Sequence, residues 1–306
     1  MKPKSISARR LQSLTSLTKE ELRELEGIFS YVYVEALQQY TMKGRPRRKP
    51  LKKLDDYRNS SLQGIETKLF FILYSLKENP TQESLGLYFN ISQSKVSEWL
   101  YFLGNCLLQT LNYVGELPAN VMEEFRKKLK PYWSEVFLVD GVERLIQRPK
   151  DSEKQKMNYS GKKKRHTTKN LVITDKEGKQ VLYLSETVAG SIHDKKLFDQ
   201  QQFAFPKKGI KLLGDLAFKG IDLDNVTFIV PIKKHKGIEL PDFMKEANRK
   251  LASIRVRVEH AICGIKRLRI LKDIFRLRRE GALDRVMKIG AGLHNFRSRR
   301  RRLVNT

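Results

Sequence analysis

Apolar positions recur at helical spacing through the first third of the chain. Residues 18–39 form one such stretch, opened by a capping-box pair, Thr18 and then Glu21 three residues on. From Ile65 to Leu111 the period continues: Leu69, Ile72, Leu73 and Leu76 fall at i, i+3, i+4 and i+7. Asn79-Pro80 ends that helix, because proline has no N–H to give and clashes with the preceding turn. Thr81 to Phe89 predicts a short second helix with Thr81 as N-cap. Asn90-Ile91 predicts a turn, and Ser92 caps a third helix that turns Val96, Trp99 and Leu100 inward. Short helix, tight turn, helix is the helix-turn-helix layout. Its exposed face would show Gln93, Ser94, Lys95, Ser97 and Glu98, small polar groups and one cation suited to base edges and phosphates. A plain three-helix bundle with a wet polar face fits the same pattern.

Beyond residue 131 the period changes. Glu135 to Val139 is a nearly continuous apolar run that reads as a buried strand ending in Asp140. Lys169 to Thr174 and Gln180 to Thr187 read as two more strands, joined by the hairpin-turn residues Asp175 to Gly178. Ser191, with Asp194 three residues on, predicts a short helix. Ile210 to Leu213 and Val226 to Val230 predict two further strands, and Asp242 to Ile270 a long helix. Three strands, helix, strand, strand, long helix matches the RNase H-like fold, a five-stranded mixed sheet flanked by helices. The expected division is a basic helix and arm (1–60), a helix-turn-helix domain (61–125), an RNase H-like domain (131–296) and a basic tail (297–306).

Charge sharpens this picture. Among 306 residues, Lys and Arg number 61 against 34 Asp and Glu, a formal net charge of +27. The excess lies on either side of residues 61–130, where the two signs balance. Such an excess points to a polyanion: nucleic acid first, an anionic membrane surface second. The longest apolar run, Leu69 to Tyr74, is far short of a bilayer span of about 20 residues. No apolar segment follows the basic N-terminus, so no secretory signal is expected. Two cysteines, Cys106 and Cys263, exclude a disulfide framework and fit a reducing compartment; both read as buried structural thiols. Lys43 to Lys53 holds seven cations, two prolines and no acid, a linker, a DNA-tracking arm or a solvated charge run.

The candidate chemistry is carried by acids. Asp140 and Asp215 each follow a buried strand, where ligands of open α/β sheets bind. Two carboxylates there suit Mg²⁺, and a third would allow two ions and in-line phosphoryl displacement. Glu259 is the third candidate, on the long helix, with Arg255, Ile262 and Lys266 at steps that share its face. The same spacing describes a plain ion pair between Arg255 and Glu259. Lys162, Lys163, Lys164 and Arg165, between the first two strands, are candidate phosphate contacts. Glu143, Asp222 and Asp224 read as loop acids, and His193-Asp194 either as approaching the site of these acids or, for Asp194, as the capping partner of Ser191.

These residues resemble a known family. Leu69 to Leu76, Pro80-Thr81-Gln82, Leu85-Gly86 and Ile91 to Ser97 are similar to the helix-turn-helix of bacterial insertion-sequence transposases of the DDE class, relatives of Harbinger elements. Val139 to Glu143, Arg148-Pro149, Tyr159 to Lys164 with His166 and Thr167, Gly190 to Asp194, Gly214-Asp215 with Gly220, Pro231 to Lys234 and Arg255 to Lys266 extend the likeness over roughly residues 65–295. The resemblance implies a metal-dependent DNA endonuclease and strand transferase. It would bind terminal inverted repeats and target DNA, as double-stranded DNA, and act as a homodimer in the synaptic complex, in the cytoplasm at the nucleoid. Asp140, Asp215 and Glu259 match the catalytic acids that hold two Mg²⁺ (or Mn²⁺) ions, and Arg255 and Lys266 the cations around the glutamate. The tyrosine that some relatives place three residues before the arginine is Ala252 here. The alternatives are a domesticated DNA-binding protein and a metal-dependent nuclease without strand transfer.

Overall fold

The computed structural model describes residues 6–51, 60–131, 136–205, 209–234, 237 and 239–304, without the side chains of 301–304. Lys52 and Lys53 of the cation run, Tyr132 and Glu135 at the expected start of the second domain, and the Arg301 and Arg302 side chains lie outside the described residues. The chain divides into two compact units. One holds Met1–Leu117, Lys266–Asp273 and Arg278–Thr306; the other holds Pro118–Ile265 and Ile274–Leu277.

The first unit is helical. α1 (Ala8–Thr15) escapes the apolar pattern because Leu11 is its one large buried apolar side chain. α2 (Lys19–Gln39) starts where the capping box predicts. Thr18 Oγ1 accepts from the Glu21 N–H at 3.2 Å, and Glu21 Oε2 accepts from the Thr18 N–H at 2.8 Å. It buries Leu22, Leu25, Phe29, Tyr33 and Leu37 at steps of three and four. α3 (Ile65–Glu78), α4 (Gln82–Phe89) and α5 (Gln93–Tyr113) form the helix-turn-helix, with Thr81 and Ser92 as the side-chain caps of α4 and α5. A Cβ at Gly86 would stand 2.6 Å from the Ile91 carbonyl oxygen, so the tight turn requires glycine there. Lys68 is 1 % exposed. Its ammonium donates to the Leu62 carbonyl at 2.8 Å and lies over the Tyr33 and Trp99 rings, which offsets the cost of burying the charge.

The second unit is built on a mixed sheet. α6 (Met122–Leu129) precedes β1 (Val136–Leu145), followed by α7 (Ser152–Asn158), β2 (Tyr159–Ser160), β3 (Arg165–Asp175), β4 (Val181–Leu184), β5 (Val188–Ala189), α8 (Asp194–Gln200), β6 (Ile210–Leu213), β7 (Val226–Ile229) and α9 (Asp242–Ile265). α10 (Arg269–Lys272) and α11 (Ala282–Val304) belong to the first unit. The spine of the sheet is β3-β1-β6-β7, with β4 and β5 along the other edge of β3 and β2 at its end. β1 pairs antiparallel with β3, and β4 antiparallel with β3; β1, β6 and β7 run parallel. This is the RNase H-like arrangement that the element order predicts. One face of the sheet meets an aromatic cluster in which Phe198 stands 4.7 Å from Phe203 and packs against Phe218 and Phe228.

Several details depart from the expectations. β1 does not end at Asp140 but runs on to Leu145, because Gly141 to Leu145 keep pairing with Leu171 to Thr167 of β3. α8 starts at Asp194 with His193 as its N-cap, whose Nδ1 accepts from the Lys195 N–H at 3.3 Å; Ser191 caps nothing there. α9 stops at Ile265 rather than near Ile270, since Leu268 takes an extended backbone and Leu268, Ile270 and Leu271 are then buried in the other unit. Apolar residues at helical spacing along α9 predict a continuous core stripe, yet only Val258, Ala261 and Ile265 of it are buried, while Met244, Leu251 and Ile254 are half-buried and Ala247 is exposed.

Phe198 anchors both α8 and the aromatic cluster. Phe198→Ala is expected to cost about 3–5 kcal/mol by leaving a cavity. Urea unfolding of the full chain checks this; a loss below about 1 kcal/mol would mean the cluster collapses around the gap.

Candidate active site

β1 and β6 are parallel neighbours with Leu138 opposite Leu213. Asp140 and Asp215 each lie two residues further on, so the pleat sends both toward the same face. Asp215 stands just past β6 and caps the 3-10 turn Leu216–Phe218, its Oδ1 accepting from the Ala217 N–H at 2.9 Å. Asp140 Oδ1 accepts from the Gly141 N–H at 2.8 Å. Burial pushes the Asp140 carboxyl up to about 6. The Gly141 N–H opposes that rise, Asp215 adds to it, the Arg255 guanidinium opposes it and Asp194 adds to it.

Asp140, Asp215, Arg255 and Asp194 therefore form one electrostatic neighbourhood. Arg255 is half-buried on α9, and its Nε is buried with no hydrogen-bond partner among the described residues. Glu259, one turn on, is exposed, on the same side as Val256 and Cys263. The expected face of Arg255, Glu259, Ile262 and Lys266 is thus split: Ile262 is buried, and Lys266 lies past the end of α9 in the other unit. Cys263 is exposed, not buried as expected, because it shares the solvent side with Glu259. Cys106 is buried, and burial holds its thiol up at about 12.

Asp194 does approach this site, but the lysine that pairs with it there is not among the sequence candidates. Lys169, on β3, is 6 % exposed. Its Nζ lies 2.8 Å from Asp194 Oδ1 and 3.7 Å from Glu143 Oε1, and donates to the Ile192 carbonyl at 2.8 Å. Asp194 packs so closely on β1 that a Cβ at Gly141 would stand 2.6 Å from its Oδ1. Glu143, expected as an exposed loop acid, is a half-buried strand residue because β1 continues through it. The signal available in the sequence was a lysine inside an apolar strand, a position that requires buried anions.

The remaining candidates lie on two separate surfaces. Lys162, Lys163 and Lys164 form the exposed turn joining β2 to β3, with exposed Arg165 at the start of β3. Asp140 pairs with Val172, so Arg165 is seven residues along the ribbon, about 23 Å away. Gln93, Ser94, Lys95 and Ser97 are all exposed on the first turns of α5, as the cap at Ser92 predicts. Gln93 Nε2 donates to Gln82 Oε1 of α4, and Lys95 pairs with Glu98 at 2.9 Å. Asp222 and Asp224 are exposed loop acids, as expected, and border a cavity of about 410 Å³ floored by Phe203 and Phe205.

Asp140 and Asp215 fit a divalent cation. They are hard oxygen donors, and the Asp215 charge raises the cost of ionising Asp140 until a positive charge joins them. Among the described residues no three His, Cys, Asp or Glu side chains stand close enough to hold a metal ion.

Residues 139–295 match the family described as DDE superfamily endonuclease. This chain belongs to that family. Residues 60–112 match the helix-turn-helix of DDE superfamily endonucleases. A probable transposase for insertion sequence element IS702 of Microchaete diplosiphon is 28 % identical over 293 residues, covering 94 % of this chain and 98 % of its own. A putative transposase for insertion sequence element IS112 of Streptomyces albus G is 24 % identical over 233 residues, covering 76 % and 80 %. No solved structure matches the chain. DDE endonucleases use divalent metal ions, and the two matched domains indicate DNA as the partner of this one. No helix among the described residues of this DDE endonuclease is long and apolar enough to cross a membrane.

The Asp140 shift sets a pH dependence. The carboxyl holds its proton more tightly folded than unfolded. In metal-free protein its contribution is therefore full below about pH 4 and lost as pH rises to about 6. Asp140→Asn is expected to stabilise the EDTA-treated protein at pH 8 by about 2–3 kcal/mol and to leave it unchanged at pH 4. Urea midpoints at the two pH values test this, and an equal effect at both would contradict the cause given.

Proposed function

We propose that this DDE endonuclease is a DNA transposase that binds the terminal inverted repeats of its own element, cuts at their ends and joins the freed ends to target DNA. The observation that carries the reading is the Asp140–Asp215 pair, two like-charged carboxylates carried by adjacent parallel strands, one on β1 and one just past β6, inside the matched endonuclease segment. The transposase names of the two relatives support the same reading.

Asp140, Asp215 and Glu259 are the proposed holders of two Mg²⁺ or Mn²⁺ ions, which when bound supply positive charge and an activated water for in-line displacement. Arg255 keeps a buried donor free for a phosphate oxygen and offsets part of the carboxylate charge. Lys162, Lys163, Lys164 and Arg165 hold the backbone at the far end of the β1–β3 ribbon, whose 23 Å or so span about seven nucleotides of one strand. Lys266 adds a phosphate contact. Gln93, Ser94, Lys95 and Ser97 read the repeat through the major groove.

In the first step water oxygen bonds to phosphorus as the P–O3′ bond breaks, leaving a 3′-OH on one fragment and a 5′-phosphate on the other. In the second, that 3′-OH attacks a target phosphodiester and displaces a target 3′-oxygen. No protein–DNA bond forms, so no serine or tyrosine nucleophile is required. Joining two ends calls for two such centres, hence a homodimer in the synaptic complex. Under this reading residues 61–125 recognise DNA and 131–296 carry the chemistry, between the basic helix and arm 1–60 and the basic tail 297–306.

The experiment is Mg²⁺-dependent cleavage of a plasmid carrying the DNA that flanks this coding region. Wild type is expected to cut at defined ends, and Asp140→Asn, Asp215→Asn and Glu259→Gln each to lose cleavage while binding the same DNA. An active Glu259→Gln enzyme would remove Glu259 from the set. Binding without cleavage in Mg²⁺ or Mn²⁺ would instead make the protein a domesticated DNA-binding protein, and cleavage without joining a nuclease. Affinity should also fall steeply with salt, by about 10³-fold or more between 50 and 200 mM, because many phosphate contacts release counterions. A flat response would contradict a phosphate-tracking surface.

A further inference from the structure

The cation run that begins at Lys43 has no role in the reading above, yet its described part is not a loose arm. Residues 41–47 fold into a turn. The Thr41 N–H donates to the Arg45 carbonyl at 2.8 Å, the Gly44 N–H to the Thr41 carbonyl at 2.8 Å, and the Arg45 N–H to Thr41 Oγ1 at 3.1 Å. Three contacts fasten this turn to the helical unit. Arg47 Nε donates to the Leu37 and Tyr40 carbonyls at the end of α2, at 2.8 and 2.9 Å. Gly44, at φ 79°, packs against Tyr101 of α5, where a Cβ would come within 2.6 Å of the ring. Arg279 stacks on Tyr101, its guanidinium carbon 3.1 Å from the ring centroid, and donates to the Lys43 carbonyl at 2.8 Å.

The clip leaves the other cations pointing outward. Lys43, Arg45, Arg48 and Lys49 are exposed, and no acid occurs between residues 41 and 51. Lys43 Nζ stands 3.7 Å from one oxygen of Glu98, and Lys95 Nζ 2.9 Å from the other. The turn is therefore placed against the same stretch of α5 that presents Gln93, Ser94, Lys95 and Ser97. Glu98, shared by two cations, leaves both only partly neutralised, and they remain 68 % and 62 % exposed.

We infer that the clipped turn 41–49 is a preorganised phosphate-binding element that extends the α5 surface along the backbone of double-stranded DNA. The inference rests on the proposed DNA binding by α5 and adds a second contact region to it. A flexible basic arm would lose conformational freedom on binding; a turn already held by Arg47, Gly44 and Arg279 avoids that cost. Its contacts position the protein without reading sequence, since cations meet phosphates and not base edges.

The test uses the full chain and two duplexes of equal length, one from the DNA flanking the coding region and one unrelated. Arg45→Ala with Arg48→Ala should weaken binding to both duplexes by a similar factor, about 10-fold, and lower the slope of log affinity against log salt by about 2. Arg9→Ala with Arg10→Ala, which removes two exposed cations from α1 in the same unit, should leave the slope as in wild type. Arg279→Gln keeps every cation of the turn and should still weaken both duplexes, because the clip is lost. Wild-type slope and affinity in Arg45→Ala/Arg48→Ala, or equal losses in the α1 control, would overturn the inference while DNA binding stands. A wild-type chain that binds neither duplex would instead remove the reading on which it rests. Unfolding midpoints of the variants within a degree or two of wild type show that the fold is retained.

Discussion

Two carboxylates of like charge, one on β1 and one just past its parallel neighbour β6, are the constraint around which the second unit is arranged. Left alone, Asp140 resists ionisation, because it is buried and faces Asp215. A fold gains nothing in stability from that arrangement, and such local conflict marks sites kept for chemistry. The surroundings limit the damage without removing it. The Gly141 N–H and Arg255 each favour the charged form, but neither cancels burial. What remains is a shortage of positive charge beside Asp140.

The sheet supplies the rigidity this needs. β1 is bonded on both edges, to β3 and β6, and is buried from Phe137 to Val139, so the backbone leading to Asp140 has no freedom to yield. The Lys169–Asp194–Glu143 cluster fixes the next segment. It ties the start of α8 to β1 and β3 through a buried ammonium, and Gly141 is the residue that lets Asp194 come so near. Breaking one partner of such a buried set strands the others, which makes it a strong registry device.

The positive charge follows a different rule. Two clusters of it lie on short, well-anchored features: the β2–β3 turn with its backbone held by Ser160, and the 41–47 turn held by Arg47 and Arg279. Phosphate binding asks for charge at defined spacing, and an anchored turn provides it with less entropy lost than a free tail. Lys68 shows the opposite use of a lysine, buried among aromatic rings where its charge serves the fold.

Local chemistry made much of this legible in the sequence. Caps at Thr18, Thr81 and Ser92, the break at Asn79-Pro80 and the turn at Asp175 to Gly178 act within a few residues, so their elements appear where the pattern put them. Apolar runs likewise marked the strands, and Asp140 and Asp215 were visible as acids following them. Long-range pairing was not visible. Nothing local says that β1 continues past Asp140; its partner residues on β3 are 22 to 30 positions away in sequence. Nor does the helical period of α9 show that it stops at Ile265, because Leu268 and Leu271 are drawn into a different core. Glu259 and Arg255 share a face by spacing, yet only packing decided that Arg255 turns toward Asp140 while Glu259 meets solvent. Sequence by itself determined the elements, the caps and the inventory of charges, since these depend on neighbours in the chain. Tertiary structure decided which charges meet, because that depends on strand register and helix rotation, where one residue of shift exchanges a buried side for a wet one.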